Sequence, residues 1–158
     1  MSALEQMARA PRRVRGMSLI EVMVSMLVLA IGLLGMAAMQ SLALRGGQSS
    51  LESSQAVMQT TSIVEAIRAN RTNAASYNIG KTCAASGIGG ASLAANDLRA
   101  WLDSMQSTIG SGAGDAAICG RIANCLVGAP GGCQVTVFWD DTRAGGNVAR
   151  EMTVETRI

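Results

Sequence analysis

The stretch RRVRGMSLIE, residues 12–21, leads into a run of 23 residues, Val22 to Leu44, that contains no Asp, Glu, Lys or Arg. As a helix rising about 1.5 Å per residue, this run spans roughly 34 Å, more than the hydrocarbon core of a bilayer at about 30 Å. The sequence therefore predicts a membrane-spanning N-terminal helix.

Charged residues flank this run asymmetrically. Four arginines precede the run and the next charge after it is Arg45. Because positive charge favours the cytoplasmic side, we expect a cytoplasmic N-terminus and an outward location for everything beyond about residue 45. The four arginines are Arg9, Arg12, Arg13 and Arg15.

An ordinary secretory signal peptide is an alternative, because Ser41-Leu42-Ala43 is a small-x-small pattern after the apolar run. Its apolar region is usually only about 7–15 residues long. The run here is longer and begins beside Glu21, a carboxylate that such a region does not need. A plain, unprocessed anchor is a second alternative, and it leaves Gly16 and Glu21 unexplained.

Charge and composition exclude several functions. Four of the 13 basic residues and one of the 11 acidic residues precede residue 17, which leaves 9 basic and 10 acidic residues beyond it. This balance argues against a nucleic-acid partner. The chain has no histidine, nucleophile motif or phosphate-binding loop. We therefore predict no catalytic residues, no cofactor and no enzymatic activity.

Four cysteines lie in the outward part of the chain. Four thiols in a small exported domain favour two disulfides, with three possible pairings, whereas a zinc site would more often show paired C-x-x-C spacing. We therefore expect disulfides and no metal, with the pairing left open. The candidates are Cys83, Cys119, Cys125 and Cys133.

Hydrophobic periodicity predicts the other elements. We expect the N-terminal helix to reach about Asn70 and to bury a stripe against the rest of the domain, and we expect an irregular loop over residues 70–96. A second helix should start at a cap on Asn96 or Asp97 and end near Gly110. The residues of the stripe are Leu51, Val57, Met58, Val64 and Ile67.

Three strands are predicted after this second helix, at Ala116–Ala123, Gln134–Trp139 and Val148–Ile158. Residues 140–147 should form the hairpin turn between the last two. Within it, Asp140 and Asp141 fit a turn better than a calcium site. The expected fold is α+β, a long helix packed on an antiparallel sheet of about three strands.

The N-terminal residues Gly16, Met17, Ser18 and Glu21, placed after a basic leader, resemble the processing site of type IV prepilins, which are pilins and pseudopilins. The resemblance implies that a prepilin peptidase cuts between Gly16 and Met17 and then N-methylates Met17. It also implies that Glu21 pairs with the new amine of Met17, on its own or an adjacent subunit, and sets the register of assembly. Glu21 reaching towards lipid headgroups is the alternative.

Later motifs are similar to one group of prepilins, the type IV pilus modification proteins, or PilV-type minor pilins. These motifs are the helix with Asp97, Leu98 and Trp101 and the strand Val135–Asp141. Ala38 stands where many major pilins have proline, which argues against a major pilin. The resemblance implies a type IV pilin-like fold.

This resemblance implies a division into a cleaved leader (1–16), a transmembrane half-helix (17–45), a periplasmic half-helix (46–70) and a disulfide-stabilised head (71–158). The implied function is a minor pilin that initiates or modifies a type IV pilus. It would start in the inner membrane and then enter the pilus at the cell surface. Implied partners are the major pilin, other minor pilins, the prepilin peptidase and the assembly platform. A minor pseudopilin of type II secretion and an anchored periplasmic binding module or adhesin are the alternatives.

Overall fold

The computed structural model describes residues 16–112, 114–128 and 130–158. The first helix, α1, runs from Leu19 to Ala69. The chain divides into two compact units, one ending at Ser41 and one from Leu42 to Ile158. We call Leu19–Ser41 the inner segment of α1 and Leu42–Ala69 the outer segment. The predictions on the leader arginines lie outside the described residues.

The second unit combines helices with a four-stranded sheet in the order β1-β2-β3-β4, in which every neighbouring pair is antiparallel. This arrangement confirms the predicted α+β, type IV pilin-like fold class. After α1 the elements are β1 (Ile79–Thr82), α2 (Leu93–Thr108), β2 (Cys119–Ala123), β3 (Cys133–Trp139) and β4 (Arg150–Thr156), with short 3₁₀ turns at Arg71–Tyr77, Ala85–Gly87 and Thr142–Ala144.

The segment 70–96 is more ordered than the irregular loop we expected. It contains two of the 3₁₀ turns and the edge strand β1, which pairs Ile79 with Ile122 and Thr82 with Gly120. The strand β1 has only four residues, too few to show a sustained alternation in the sequence, and its register with β2 is irregular. Only its pairing with β2 makes it a strand.

The expected start of α2 at Asn96 or Asp97 is wrong. The helix begins at Leu93, and the side chain of Ser92 accepts a hydrogen bond from the backbone N–H of Ala95 at 3.2 Å. Serine is a preferred N-cap because its oxygen satisfies an otherwise unpaired helix donor. The helix ends at Thr108, close to the predicted end.

The buried stripe of the outer segment differs from the one predicted. Leu51, Val57 and Met58 are exposed, whereas Val64 and Ile67 are buried as expected. The two buried residues belong to a row spaced mainly by three and four residues that starts with the small side chains of Ala56 and Thr60. This row comprises Ala56, Thr60, Ile63, Val64 and Ile67.

The core of the second unit lies between α1, α2 and one face of the sheet. Val135, Val137 and Trp139 of β3 point into it, which confirms the predicted alternation. Trp101 of α2 donates its indole N–H to the carbonyl of Gln59 at 3.0 Å and so joins the two helices.

Candidate functional site

The peptide bond between Gly16 and Met17 lies just outside α1. Residues 16–18 are not helical, and the helix begins at Leu19. A Cβ at Gly16 would have no atom within 4 Å, and Met17 is exposed. The bond therefore lies outside the helix and is uncovered by the described residues, as access to a protease cleft requires.

Glu21 occupies the first turn of α1. Its backbone N–H bonds to the carbonyl of Ser18 at 3.0 Å, and its carboxylate sits at the end of the helix where the macrodipole favours negative charge. The side chain is exposed, and among the described residues it has no hydrogen bond or ion pair. The carboxylate is therefore accessible to a partner.

The apolar side chains of the inner segment are exposed along its whole length. Leu27, Ile31 and Leu34 are 60%, 63% and 72% exposed. No residue in the most apolar 18-residue stretch of α1 is buried. By length and composition α1 can cross a membrane. An apolar surface of this extent requires an environment other than water.

All four cysteines are joined in disulfides, and within the described chain none is free. Cys83 pairs with Cys119 and links the segment after β1 to the start of β2. Cys125 pairs with Cys133 and closes the connection between β2 and β3. The expectation of disulfides is confirmed, and the structure selects this pairing among the three left open.

Residues 140–149 connect β3 and β4, two residues longer than the predicted turn at 140–147, because β4 begins at Arg150 and not at Val148. Asp140 Oδ1 accepts the backbone N–H of Thr142 at 2.8 Å, and the hydrogen bonds from Thr142 lower the pKa of this carboxyl. This is the turn-forming role expected for Asp140. Among the described residues, no group of three or more His, Cys, Asp or Glu side chains could hold a metal ion.

Sequence reasoning missed a buried polar cluster between the outer segment and this connection. Asp141 is fully buried, and its Oδ2 accepts hydrogen bonds from Ser49 Oγ at 2.9 Å and from Arg150. Glu52 lies beside Asp141, and Arg143 approaches the Glu52 carboxyl at 3.9 Å. Burial, and then the negative charge of Asp141, raise the pKa of Glu52. Asp141 lies two residues after the apolar strand β3, and this was the only sequence signal for its burial.

Residues 11–37 match the family described as the prokaryotic N-terminal methylation motif. The match includes Gly16, Met17 and Glu21 and extends into the inner segment. None of the curated proteins and none of the solved structures matches this chain.

The motif and the fold together define a type IV prepilin-like N-terminus on a type IV pilin-like α+β architecture. This combination indicates a pilin or pseudopilin and points to a structural protein rather than an enzyme. The motif implies processing by a prepilin peptidase and assembly with other pilins, and with the apolar helix it indicates membrane anchoring.

Proposed function

We propose that this chain is a minor pilin that helps to initiate or modify a type IV pilus. The observation that carries the proposal is the exposed apolar inner segment, most of which belongs to the methylation motif. Such a helix suits transfer from lipid into a bundle of similar helices, because both environments bury its whole circumference. The resemblance of α2 and β3 to the PilV-type proteins supports a minor rather than a major subunit.

In this proposal residues 1–16 are removed, 17–45 cross the inner membrane, and 46–70 continue the helix into the periplasm. The head, 71–158, is then periplasmic until the subunit enters the pilus. Disulfides support this location, because they persist in oxidising compartments such as the periplasm.

Cleavage between Gly16 and Met17 creates the amine with which Glu21 would pair. In the uncleaved chain this nitrogen belongs to a peptide bond, so a Glu21 that has no ion pair among residues 16–112, 114–128 and 130–158 fits a precursor. A carboxylate in lipid is costly unless it finds a partner, which supports pairing with the amine of a neighbouring subunit.

Processing is tested by the intact mass of the membrane form. We expect a chain that starts at Met17 and carries one added methyl group, and Gly16→Arg should retain the leader. A chain that starts at Leu44 would instead establish an ordinary signal peptide.

The assembly role is tested with Glu21→Ala, because this change removes the charge and leaves the helix more apolar. Insertion and leader cleavage should survive, whereas incorporation into sheared pili should fail at matched cellular levels. Ser25→Ala, one turn further along α1, is the matched control and should assemble normally. Normal incorporation of Glu21→Ala would rule out the register role. Loss of secretion with normal pili in a strain lacking the protein would favour the type II secretion pseudopilin.

A further inference from the structure

The junction between α1 and the β3–β4 connection holds two carboxyl oxygens, one from each of two side chains, out of contact with water. Asp141 Oδ1 and Glu52 Oε2 are both buried, and neither has a hydrogen-bond donor among the described residues. Ser49, three residues before Glu52 on α1, donates to Asp141 at 2.9 Å, which brings the two carboxyl groups beside each other. A buried acceptor without a donor is costly, and two adjacent carboxylates repel each other.

We propose that Glu52 and Asp141 share one proton, and that this proton latches the outer segment of α1 to the β3–β4 connection. Glu52 carries the proton and donates it to Asp141. The opposite assignment fits less well, because Asp141 already acts as an acceptor for Ser49 and Arg150. Protonated Glu52 thus supplies the hydrogen that both orphaned oxygens lack.

The charges around the pair come from every element packed against it. Arg150 of β4 pairs with Asp141, whereas Arg143 of the connection reaches Glu52 only at 3.9 Å. The Arg143 guanidinium also donates to the carbonyl of Ile109, just after α2, at 3.4 Å and is half exposed. Water therefore weakens its hold on a Glu52 carboxylate, and Arg143 does not replace the proton.

The latch is closed at low pH and opens at high pH. Burial, together with the charge of Asp141, raises the pKa of Glu52 in the folded protein above its ordinary value of 4.5. The stabilisation is therefore complete below the ordinary pKa and is lost as pH rises through the raised pKa. Beyond that point two negative charges face each other in a buried site, and the connection separates from α1.

Hydrogen exchange on the full-length protein in detergent, corrected for intrinsic rates, tests the latch. The reporters are the backbone N–H groups of Asp141 and Gly146, which bond to Asn147 O and Asp141 O inside the connection. We expect exchange at these amides to rise by up to about tenfold for each unit of pH between the ordinary and the raised pKa of Glu52 and to level off above the raised pKa, because within this range the open state has lost the proton that the closed state still holds. Glu52→Gln should abolish this rise, since its amide donates to Asp141 without titrating. Glu65→Gln, on the exposed face of α1, is the matched control and should keep it.

An infrared titration of the parent protein provides a second, independent measurement. We expect a protonated-carboxyl band that persists above the ordinary pKa of glutamate and disappears in Glu52→Gln but not in Glu65→Gln. The proposal is overturned if Glu52 titrates at its ordinary value, or if parent and Glu52→Gln share one pH profile. If Glu52→Gln does not fold, the parent titration still decides through the presence or absence of the persistent band.

Discussion

The inner and outer segments of α1 belong to one helix, yet the folded chain uses their apolar side chains in opposite ways. In the inner segment Leu33 is 58% exposed, and nearly every residue before and after it in the helix is also apolar. In the outer segment Ile63 and Ile67 are 2% and 0% exposed, while the opposite face is polar or open to solvent.

This difference separates two physical tasks. The outer segment has a buried apolar stripe that packs into the core of the second unit, to which the segment belongs. Its apolar residues therefore contribute to the stability of that unit. The inner segment carries exposed apolar side chains around most of its circumference. Substitutions in the inner segment should therefore affect membrane insertion and assembly, whereas those in the outer stripe should affect unfolding.

The largest effect is expected from Ile67→Ala. Removing a fully buried isoleucine side chain loses apolar burial and leaves a cavity, which should lower the free energy of unfolding by about 2–5 kcal/mol. The measurement is urea unfolding of the protein in detergent, followed by tryptophan fluorescence. Trp101 and Trp139 are the two tryptophans of the chain and are both buried in the second unit, so the signal reports on that unit alone.

Leu33→Ala is the matched control for this measurement, because it removes a similar volume from an exposed site. We expect it to change the unfolding free energy by less than about 0.5 kcal/mol. Equal losses in the two variants would contradict the separation between the segments.

A somewhat smaller effect on the free energy of unfolding is expected from removing either of the two disulfides, both of which lie in the second unit. Cys83 and Cys119 are 36 residues apart, whereas Cys125 and Cys133 are 8 apart. The loop-entropy model then predicts a loss of about 4 kcal/mol for serine at the first pair and about 2.5 kcal/mol at the second. Urea unfolding of both double variants checks the order, and a larger loss for the short loop would contradict it.

The inner segment could be predicted from sequence because one property, a nearly continuous apolar composition with no charge after Glu21, decides its behaviour. The alternation of Val135, Val137 and Trp139 was equally clear, since β3 has one face in the core and its period is two. In both cases the signal is local and extends over many residues.

The outer stripe could not be read from sequence, because tertiary contacts select it from several apolar rows. Leu51 and Met58 form as good a helical row as Ile63 and Ile67, yet they face outward. The cluster around Asp141 was missed for a related reason. Its partner Ser49 is 92 residues away in the chain, and no local pattern links the two positions.

A moderate effect is expected from Ser92→Ala, which removes the N-cap of α2. The freed N–H of Ala95 loses its acceptor, and the second unit should lose about 0.5–2 kcal/mol of stability. Asn96→Ala is the control, because Asn96 is exposed and lies inside the helix rather than at its cap. A larger loss for Asn96→Ala in urea unfolding would restore the cap assignment made from sequence.

The smallest effect concerns pH and sharpens the same contrast, because residues 22–44 contain no group that titrates. Asp115 accepts hydrogen bonds from the backbone N–H groups of Ser111 at 2.8 Å and Ala117 at 3.0 Å, and these bonds lower its pKa below 3.8. The folded protein thus binds this proton less readily than the unfolded chain. The stabilisation is present above the ordinary pKa and is lost as pH falls through the lowered one, the reverse of Glu52.

We expect Asp115 to account for a loss of less than about 1 kcal/mol in the free energy of unfolding, because the group is partly solvent-exposed. Urea midpoints across the acid range should flatten in Asp115→Asn but not in Asp103→Asn, whose carboxylate is exposed on α2, and equal flattening in both would contradict the assignment.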